Sequence, residues 1–307
     1  MVSVSRRPGV AVLRKPHYVL RPERALRRAS QRLSPSADAP CDVRLPWGPL
    51  VRVDPREEVG RAIWSTGVYD LAVSETLWRL VDPGDTAADV GADIGYFSGL
   101  MARRCSPGGR VVAFEPHPEV FADLTFNVGR WERHGNLAPI ELRQLGLSRA
   151  AGTVGVHTRD VGRNRGLSSL EHIGGRTVQV TVEQLDTQWI AGIDGPAIMK
   201  IDADGHELAV VEGAGGVLSG LRDVVFEDVG PQPSQLGEIF RRRGFTVFSV
   251  GVGTFGPRLV RVDDPTGLPG DAAPSYLATR HPERAIARLR RPGWRVLWYR
   301  GLARRRC

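Results

Sequence analysis

Four aspartates, a lysine and a histidine stand in two short glycine-interrupted stretches, Asp89-Val-Gly-Ala-Asp-Ile-Gly95 and Lys200-Ile-Asp-Ala-Asp-Gly-His206. The first follows a strand signal, Thr86 to Val90, and leads into a helix signal, Tyr96 to Arg103. Glycine in such a turn lets a ligand approach the backbone, and the turn is expected to present free N–H groups at a helix N-terminus. A pyrophosphate-binding turn reads G-x-G-x-x-G, but Asp93 occupies the place of its middle glycine. Two carboxylates there repel a pyrophosphate and welcome a ligand with a cationic group.

Two further features extend this chemistry. The apolar run Arg110 to Phe114 ends in Glu115, about twenty residues after the glycine turn. An α/β nucleotide fold places a ribose-binding carboxylate there, and a charge at a buried strand end needs a partner. The second stretch follows the strand signal Pro196 to Asp202, and a helix is expected from Leu208 to Leu218 with Glu212-Gly-Ala214 inside it. Lys200 is one of two lysines in the chain, the other being Lys15, against forty arginines. It either hydrogen-bonds an acceptor hydroxyl or forms a structural ion pair with Asp202 or Glu227.

The D-x-G-x-x-x-G spacing of Asp89, Gly91 and Gly95 is the pattern of class I S-adenosylmethionine methyltransferases. Taken in order, DVGADIGYFS, VVAFEPHPEVFADL, VTVEQLD, KIDADGHE, VEGA and VVFED resemble the FkbM family of methyltransferases over roughly residues 45 to 280. That family usually has Asn in place of Asp93 and Val-Glu in place of Ala203-Asp204. The resemblance implies a Rossmann-like class I methyltransferase fold and S-adenosylmethionine as cofactor. It also implies O-methylation of a sugar or a natural-product hydroxyl, a secondary-metabolic role suited to the bacterial, GC-rich composition.

The implied cofactor set is Asp89, Gly91, Ala92, Asp93, Gly95 and Tyr96 at the turn, Glu115 and Pro116 at the next strand end, and Leu145 and Gly146 after the third strand. Methyl transfer asks mainly for placement of a nucleophile and a route for its proton. Asp202 and His206 are the candidates for that proton, with Asp204 beside them and Lys200 as the third catalytic candidate. The donors of Asp202, Asp204 and His206 also suit a divalent metal, but their spacing is not specific and no metal site is assigned.

These residues need an α/β frame. From residue 86 strand and helix signals alternate, predicting a seven-stranded, mostly parallel sheet with helices on both faces. Strands are expected near 86–90, 110–115, 139–145, 197–202 and 223–227, with a last hairpin at 245–250 and 275–280. Between the third and fourth strands, VGVH and RTVQVTV flank a polar loop, Arg159 to Ser169, that reads as a surface hairpin or as an acceptor-facing or dimer-forming flap. Upstream, residues 41–80 read as a hairpin, Val43 to Val53, then helices at Glu57 to Ser65 and Ser74 to Leu80. Tyr69, between the helices, reads either as pocket closure or as a core aromatic.

The charge is unevenly placed. Residues 1–40 carry a net +7 and residues 280–307 a net +9, so the middle is −8 although the whole chain is +8. The division is therefore a basic arm and linker (1–40), the lead-in (41–80), a catalytic domain (81–280) and an Arg/Trp-rich arm (281–307). That last arm, with Trp294, Trp298 and Tyr299 among arginines, suits packing on the body first and an anionic membrane surface second. Basic arms also motivate an RNA-methyltransferase alternative, or a non-catalytic cofactor-binding protein, but nucleic acid is not favoured. No D/N-P-P-Y/F motif is present. Cys41, Cys105 and Cys307 form no C-x-x-C pair, and no apolar stretch is long enough to span a membrane, so a cytoplasmic enzyme with a small-molecule acceptor is expected.

Overall fold

The computed structural model describes residues 39–132, 136–158, 168–169, 176–189, 195–228, 234–262, 275–297 and 305–306. The polar loop from Arg159 lies almost wholly outside these residues, as do Trp298 and Tyr299.

The chain opens with a hairpin, β1 (Cys41–Arg44) and β2 (Leu50–Val53), and two helices, α1 (Glu58–Thr66) and α2 (Leu71–Leu80). The helix α2 starts at Asp70, whose side chain accepts from the Val73 N–H at 3.0 Å. Two strand–helix units then follow in order, β3 (Thr86–Val90) with α3 (Tyr96–Cys105) and β4 (Arg110–Phe114) with α4 (Pro118–Glu132), and then the strand β5 (Ile140–Arg143). A small sheet is inserted next, made of β6 (Gly146–Leu147), β7 (Gly152–Thr158), β8 (Ser168–Ser169) and β9 (Arg176–Glu183), ordered β6-β9-β7-β8.

After α5 (Leu185–Gln188) the main sheet resumes with β10 (Ile198–Ile201), α6 (Glu207–Glu212), α7 (Val217–Gly220), β11 (Asp223–Glu227) and α8 (Gln235–Arg242). It finishes with β12 (Thr246–Val252), β13 (Pro257–Arg261) and β14 (Ser275–Thr279), ahead of α9 (Pro282–Leu289). The order is β13-β12-β14-β11-β10-β3-β4-β5. From β11 to β5 all neighbours are parallel, whereas β14 runs antiparallel to both β11 and β12.

This Rossmann-like α/β sheet has one strand more than the seven predicted, because β13 adds antiparallel to the β12 edge. Its residues are half-buried or exposed, so no apolar run marks it in the sequence. Two apolar clusters, one on each face, sandwich the sheet. One contains Trp47, Leu77, Leu100, Leu124 and Trp294, and the other Phe114, Val211, Leu218 and Phe240.

The helix expected from Leu208 to Leu218 is broken. Chain direction changes at Gly213, where an added Cβ would lie 2.0 Å from the Ser148 carbonyl oxygen. That backbone approach, from a loop 65 residues earlier in sequence, sets the break between α6 and α7.

The segment that follows β14 is tied to α2. Glu75 and Arg79 form a buried i,i+4 ion pair at 2.6 Å. Arg79 donates to the carbonyls of Arg288, Leu289, Arg291 and Gly293, and Glu75 accepts from the Arg295 and Val296 N–H groups at 2.9 Å. Those carbonyls lie around the end of α9, where an isolated helix would leave its last acceptors unmet. Trp294, Val296 and Leu297 are buried beside them. No helix of the described residues is long and apolar enough to cross a membrane.

Candidate functional site

The strand order reverses at β3, with β4 and β5 on one side and β10 and β11 on the other. Loops leaving the C-terminal ends of β3 and β10 diverge there and open a crevice, the place where open α/β sheets bind ligands. A cavity of about 490 Å³ occupies it.

The β3 loop is braced from three sides. The N–H groups of Gly91 and Ala92 donate to the Phe114 carbonyl at 3.0 and 2.9 Å, and the Asp93 N–H donates to Glu115 Oε2 at 3.0 Å. Behind it, buried Asn127 donates to the Ile94 carbonyl at 2.9 Å while pairing with the Arg52 backbone. The N–H groups of Gly91, Ala92 and Asp93 are therefore engaged within the protein, because β4 and the residue after it lie close enough to accept them. Gly91 has φ +71°, and a Cβ there would fall 1.8 Å from the Asp202 carbonyl oxygen. Glycine is required by conformation and by the close approach of the β10 loop. Gly95, at φ +91°, backs onto Leu124 and Trp131.

Glu115 is 7% exposed and accepts from the Asp93 and His117 N–H groups, one on each oxygen. Burial, with the nearby Asp93 carboxylate, pushes its pKa up to about 7, and burial with Glu57 does the same to Asp93, also to about 7. Each Glu115 oxygen retains acceptor capacity for a ligand hydroxyl.

Lys200 faces Asp89 in the β10–β3 register. Its Nζ donates to the Gly91 carbonyl at 2.7 Å and lies 3.4 Å from Asp89 Oδ1 and 3.5 Å from Asp202 Oδ2. Burial opposes its charge, but Asp202, Asp89 and Asp93 outweigh that and hold the ammonium above its usual pKa. Of the two ion-pair partners considered for Lys200, Asp202 is found, and Asp89 joins it. Asp89 also accepts from Ser98 Oγ at 2.6 Å.

The β10 loop is braced locally, by Glu207 Oε1 accepting from the Ala203 and Gly205 N–H groups at 2.8 and 3.1 Å. Asp204 takes φ +49° between them, as Asp93 does in the other loop; with Asp70 these are the non-glycine residues of positive φ among those described. Aspartate tolerates this region better than most residues. Burial, then Asp202 and Glu207, push the Asp204 pKa up to about 8. Burial and Asp202 push Glu227, at the end of β11, up to about 8. His206 Nε2 lies 3.0 Å from Ser148 Oγ, and burial with Arg149 lowers its pKa.

Gly91, Ala92, Asp93, Tyr96, Glu115, Pro116, Leu145, Gly146, Lys200, Asp202 and His206 all line the cavity. Asp89 and Gly95 do not: the first supports Lys200 and Ser98 from inside the sheet, the second packs on Leu124. The inserted sheet, read from its sequence as a surface hairpin or as an acceptor-facing or dimer-forming flap, brings Val154, Val156, Val180 and Val182 to the cavity as an apolar wall, residues whose alternate spacing puts them on one face. Glu227 was read only as an ion-pair option, and Glu207 went unassigned, although Glu227 ends an apolar run as Glu115 does. No group of three or more metal-ligating side chains with the geometry to hold an ion occurs among the described residues.

The fold and its crevice define a Rossmann-like class I methyltransferase architecture. The methyltransferase FkbM domain model matches residues 89–247, and the chain belongs to the FkbM methyltransferase family. It is 29% identical over 165 residues to the hexuronic acid methyltransferase AglP of Haloferax volcanii, covering 54% of this chain and 65% of that protein. It is 31% identical over 193 residues to the 31-O-demethyl-FK506 methyltransferase FkbM of Streptomyces tacrolimicus, covering 54% of this chain and 74% of that one. Among solved structures it is similar to the methyltransferase FkbM of Methylobacillus flagellatus, with 15% identity, a TM-score of 0.43, and coverage of 64% of this chain and 43% of that one.

Proposed function

We propose that this protein is an S-adenosylmethionine-dependent methyltransferase that methylates a hydroxyl oxygen of a sugar or natural-product acceptor. The observation that carries the reading is the joining of two family motifs around one cavity: Gly91 lies against the Asp202 carbonyl, and Glu115 braces the glycine loop from β4. The donor set fits the cofactor. Glu115 can accept from ribose hydroxyls, while Pro116, Leu145, Gly146 and the valine wall offer apolar surface to an adenine. Asp93 and the Asp202 side offer carboxylates to a cationic amino-acid end.

Bound S-adenosylmethionine supplies an electrophilic methyl group on a sulfonium. The chain's own residues place the acceptor and take its proton. Asp202 and His206 both line the cavity beyond β10, and the lowered pKa of His206 leaves its imidazole neutral near pH 7, able to accept a proton. Lys200 is a positioning residue: it ties the Gly91 carbonyl to Asp202. A nucleic-acid acceptor has less support, since no arginine lines the cavity among the described residues.

Calorimetric titration with S-adenosylmethionine, S-adenosylhomocysteine and NAD tests the reading. Micromolar binding of the two sulfur nucleotides alone, followed by transfer of a labelled methyl group to a hydroxylated acceptor, is the expected result. A folded protein that binds neither would end it.

A further inference from the structure

Two of the three large apolar side chains that stand exposed among the described residues share one turn. Val252, 48% exposed, and Phe255, 75% exposed, lie at the link between β12 and β13. The third, Phe126, is covered by the guanidinium groups of Arg52 and Arg130, whose Cζ atoms lie 4.0 and 5.4 Å from its ring centroid. Phe255 faces solvent without such a cover.

The backbone holds Phe255 in that position. The Gly253 N–H donates to the Gly256 carbonyl at 3.0 Å and closes the turn, and the Gly293 N–H donates to the Phe255 carbonyl at 2.6 Å. The second bond fastens the turn to the segment after α9, which Arg79 in turn holds by the Arg291 and Gly293 carbonyls.

Unpaired positive charge accompanies the turn. Arg258 follows it on β13, and Arg290, Arg291 and Arg295 stand in the segment fastened to it. All four are exposed and form no ion pair among the described residues. Other arginines of this region are committed: Arg284 and Arg288 pair with Asp82, and Arg222 pairs with Asp85.

We propose that this turn and its arginines dock the protein on an anionic phospholipid bilayer. Val252 and Phe255 enter the boundary between headgroups and acyl chains, while Arg258, Arg290, Arg291 and Arg295 meet lipid phosphates. Size and chemistry favour this partner. Two exposed side chains are too few for a stable protein interface, which buries about 800 Å² on each partner. Single-stranded nucleic acid stacks on aromatic faces but gains nothing from an exposed Val252. A bilayer boundary accepts aliphatic and aromatic side chains alike, and its anionic surface attracts the neighbouring arginines. The described part of the arm after residue 281 thus combines two roles: buried Trp294 packs it on the body, and its exposed arginines supply charge to the membrane face.

Orientation follows from the sheet. Both β11 and β12 run antiparallel to β14, so β12 is parallel to β11 and its last residue stands at the crevice end. A docked chain brings that end of the sheet to the lipid. The proposal is independent of the methyl-transfer reading.

The test sediments the full chain with vesicles of phosphatidylcholine, and of phosphatidylcholine with phosphatidylglycerol in equal parts, over a range of salt. Binding is expected on the mixed vesicles alone and should fall as salt rises. Phe255→Ser should bind about tenfold more weakly, through loss of one inserted aromatic side chain. The Arg258→Gln, Arg290→Gln, Arg291→Gln variant should bind about 100-fold more weakly. These positions are exposed, so both variants should unfold at the parent temperature. Equal binding of parent and variants, equal binding to the two vesicle types, or no binding of the parent to mixed vesicles would overturn the proposal. So would a dimer of the parent that Phe255→Ser dissolves, or a single-stranded RNA that binds the parent tighter than the mixed vesicles do.

Discussion

The loops after β3 and β10 are built alike and held differently. Each carries an aspartate at φ +49°, Asp93 or Asp204, beside glycines of positive φ, and in each a glutamate accepts from two backbone N–H groups. Glu115 belongs to the neighbouring strand end, so the first loop is cross-braced to β4. Glu207 lies within its own loop and helix start, so its brace on the second loop is local. The difference teaches where rigidity is placed: the loop after β3 is fixed by the neighbouring strand, while the loop after β10 carries Asp202 and Asp204 into the cavity lining. Preorganised donors and acceptors are most useful where one ligand is constant, and variation is cheaper where the partner differs among relatives.

Breaking the junction between the loops should have the largest effect. Gly91→Ala forces a Cβ into the Asp202 carbonyl and a poor backbone conformation, and a loss of about 3 kcal/mol in denaturant unfolding is expected, together with loss of S-adenosylhomocysteine binding. Removing the cross-brace comes next: Glu115→Ala should weaken S-adenosylhomocysteine by about 100-fold by calorimetry, since charged hydrogen bonds to two hydroxyls disappear with the brace. Glu207→Ala removes only the local brace, so a stability loss of about 1–2 kcal/mol with cofactor affinity reduced less than in Glu115→Ala is expected. Equal effects of the two glutamates on the cofactor would erase the contrast.

A pH scan sharpens the same comparison with a smaller effect. Asp204 and Glu227 have folded pKa values near 8, above their ordinary values of 3.8 and 4.5. The folded chain therefore holds protons that the unfolded chain has released, and stability should fall as pH rises from about 4 to about 8. Thermal unfolding of the Asp204→Asn, Glu227→Gln variant should show a shallower fall over that interval than the parent protein. An unchanged slope would mean that these carboxyls are not buried against one another as described.

Much of this frame was legible because local sequence set it. Apolar runs ending in acids marked β3, β4, β10 and β11, and the glycines at 91 and 95 marked the turn. Glu115 could be assigned because a charge closing a buried strand must be accommodated. Glu227 closes its run in the same way, but without a glycine loop after it no ligand role was drawn. The break at Gly213 and the steric need at Gly91 come from backbone brought in by the fold, from Ser148 and Asp202, which no local pattern encodes. The acceptors of the Gly91 and Ala92 N–H groups are hidden in the same way, since the Phe114 carbonyl belongs to another strand.

The most direct measurement is calorimetric titration of S-adenosylhomocysteine into the parent protein, Glu115→Ala and Glu227→Gln. Micromolar binding to the parent, about 100-fold weaker binding to Glu115→Ala and near-parent affinity in Glu227→Gln are the predicted results. No binding to the folded parent, or equal losses in the two variants, would contradict the placing of the cofactor at the Glu115 side of the cavity.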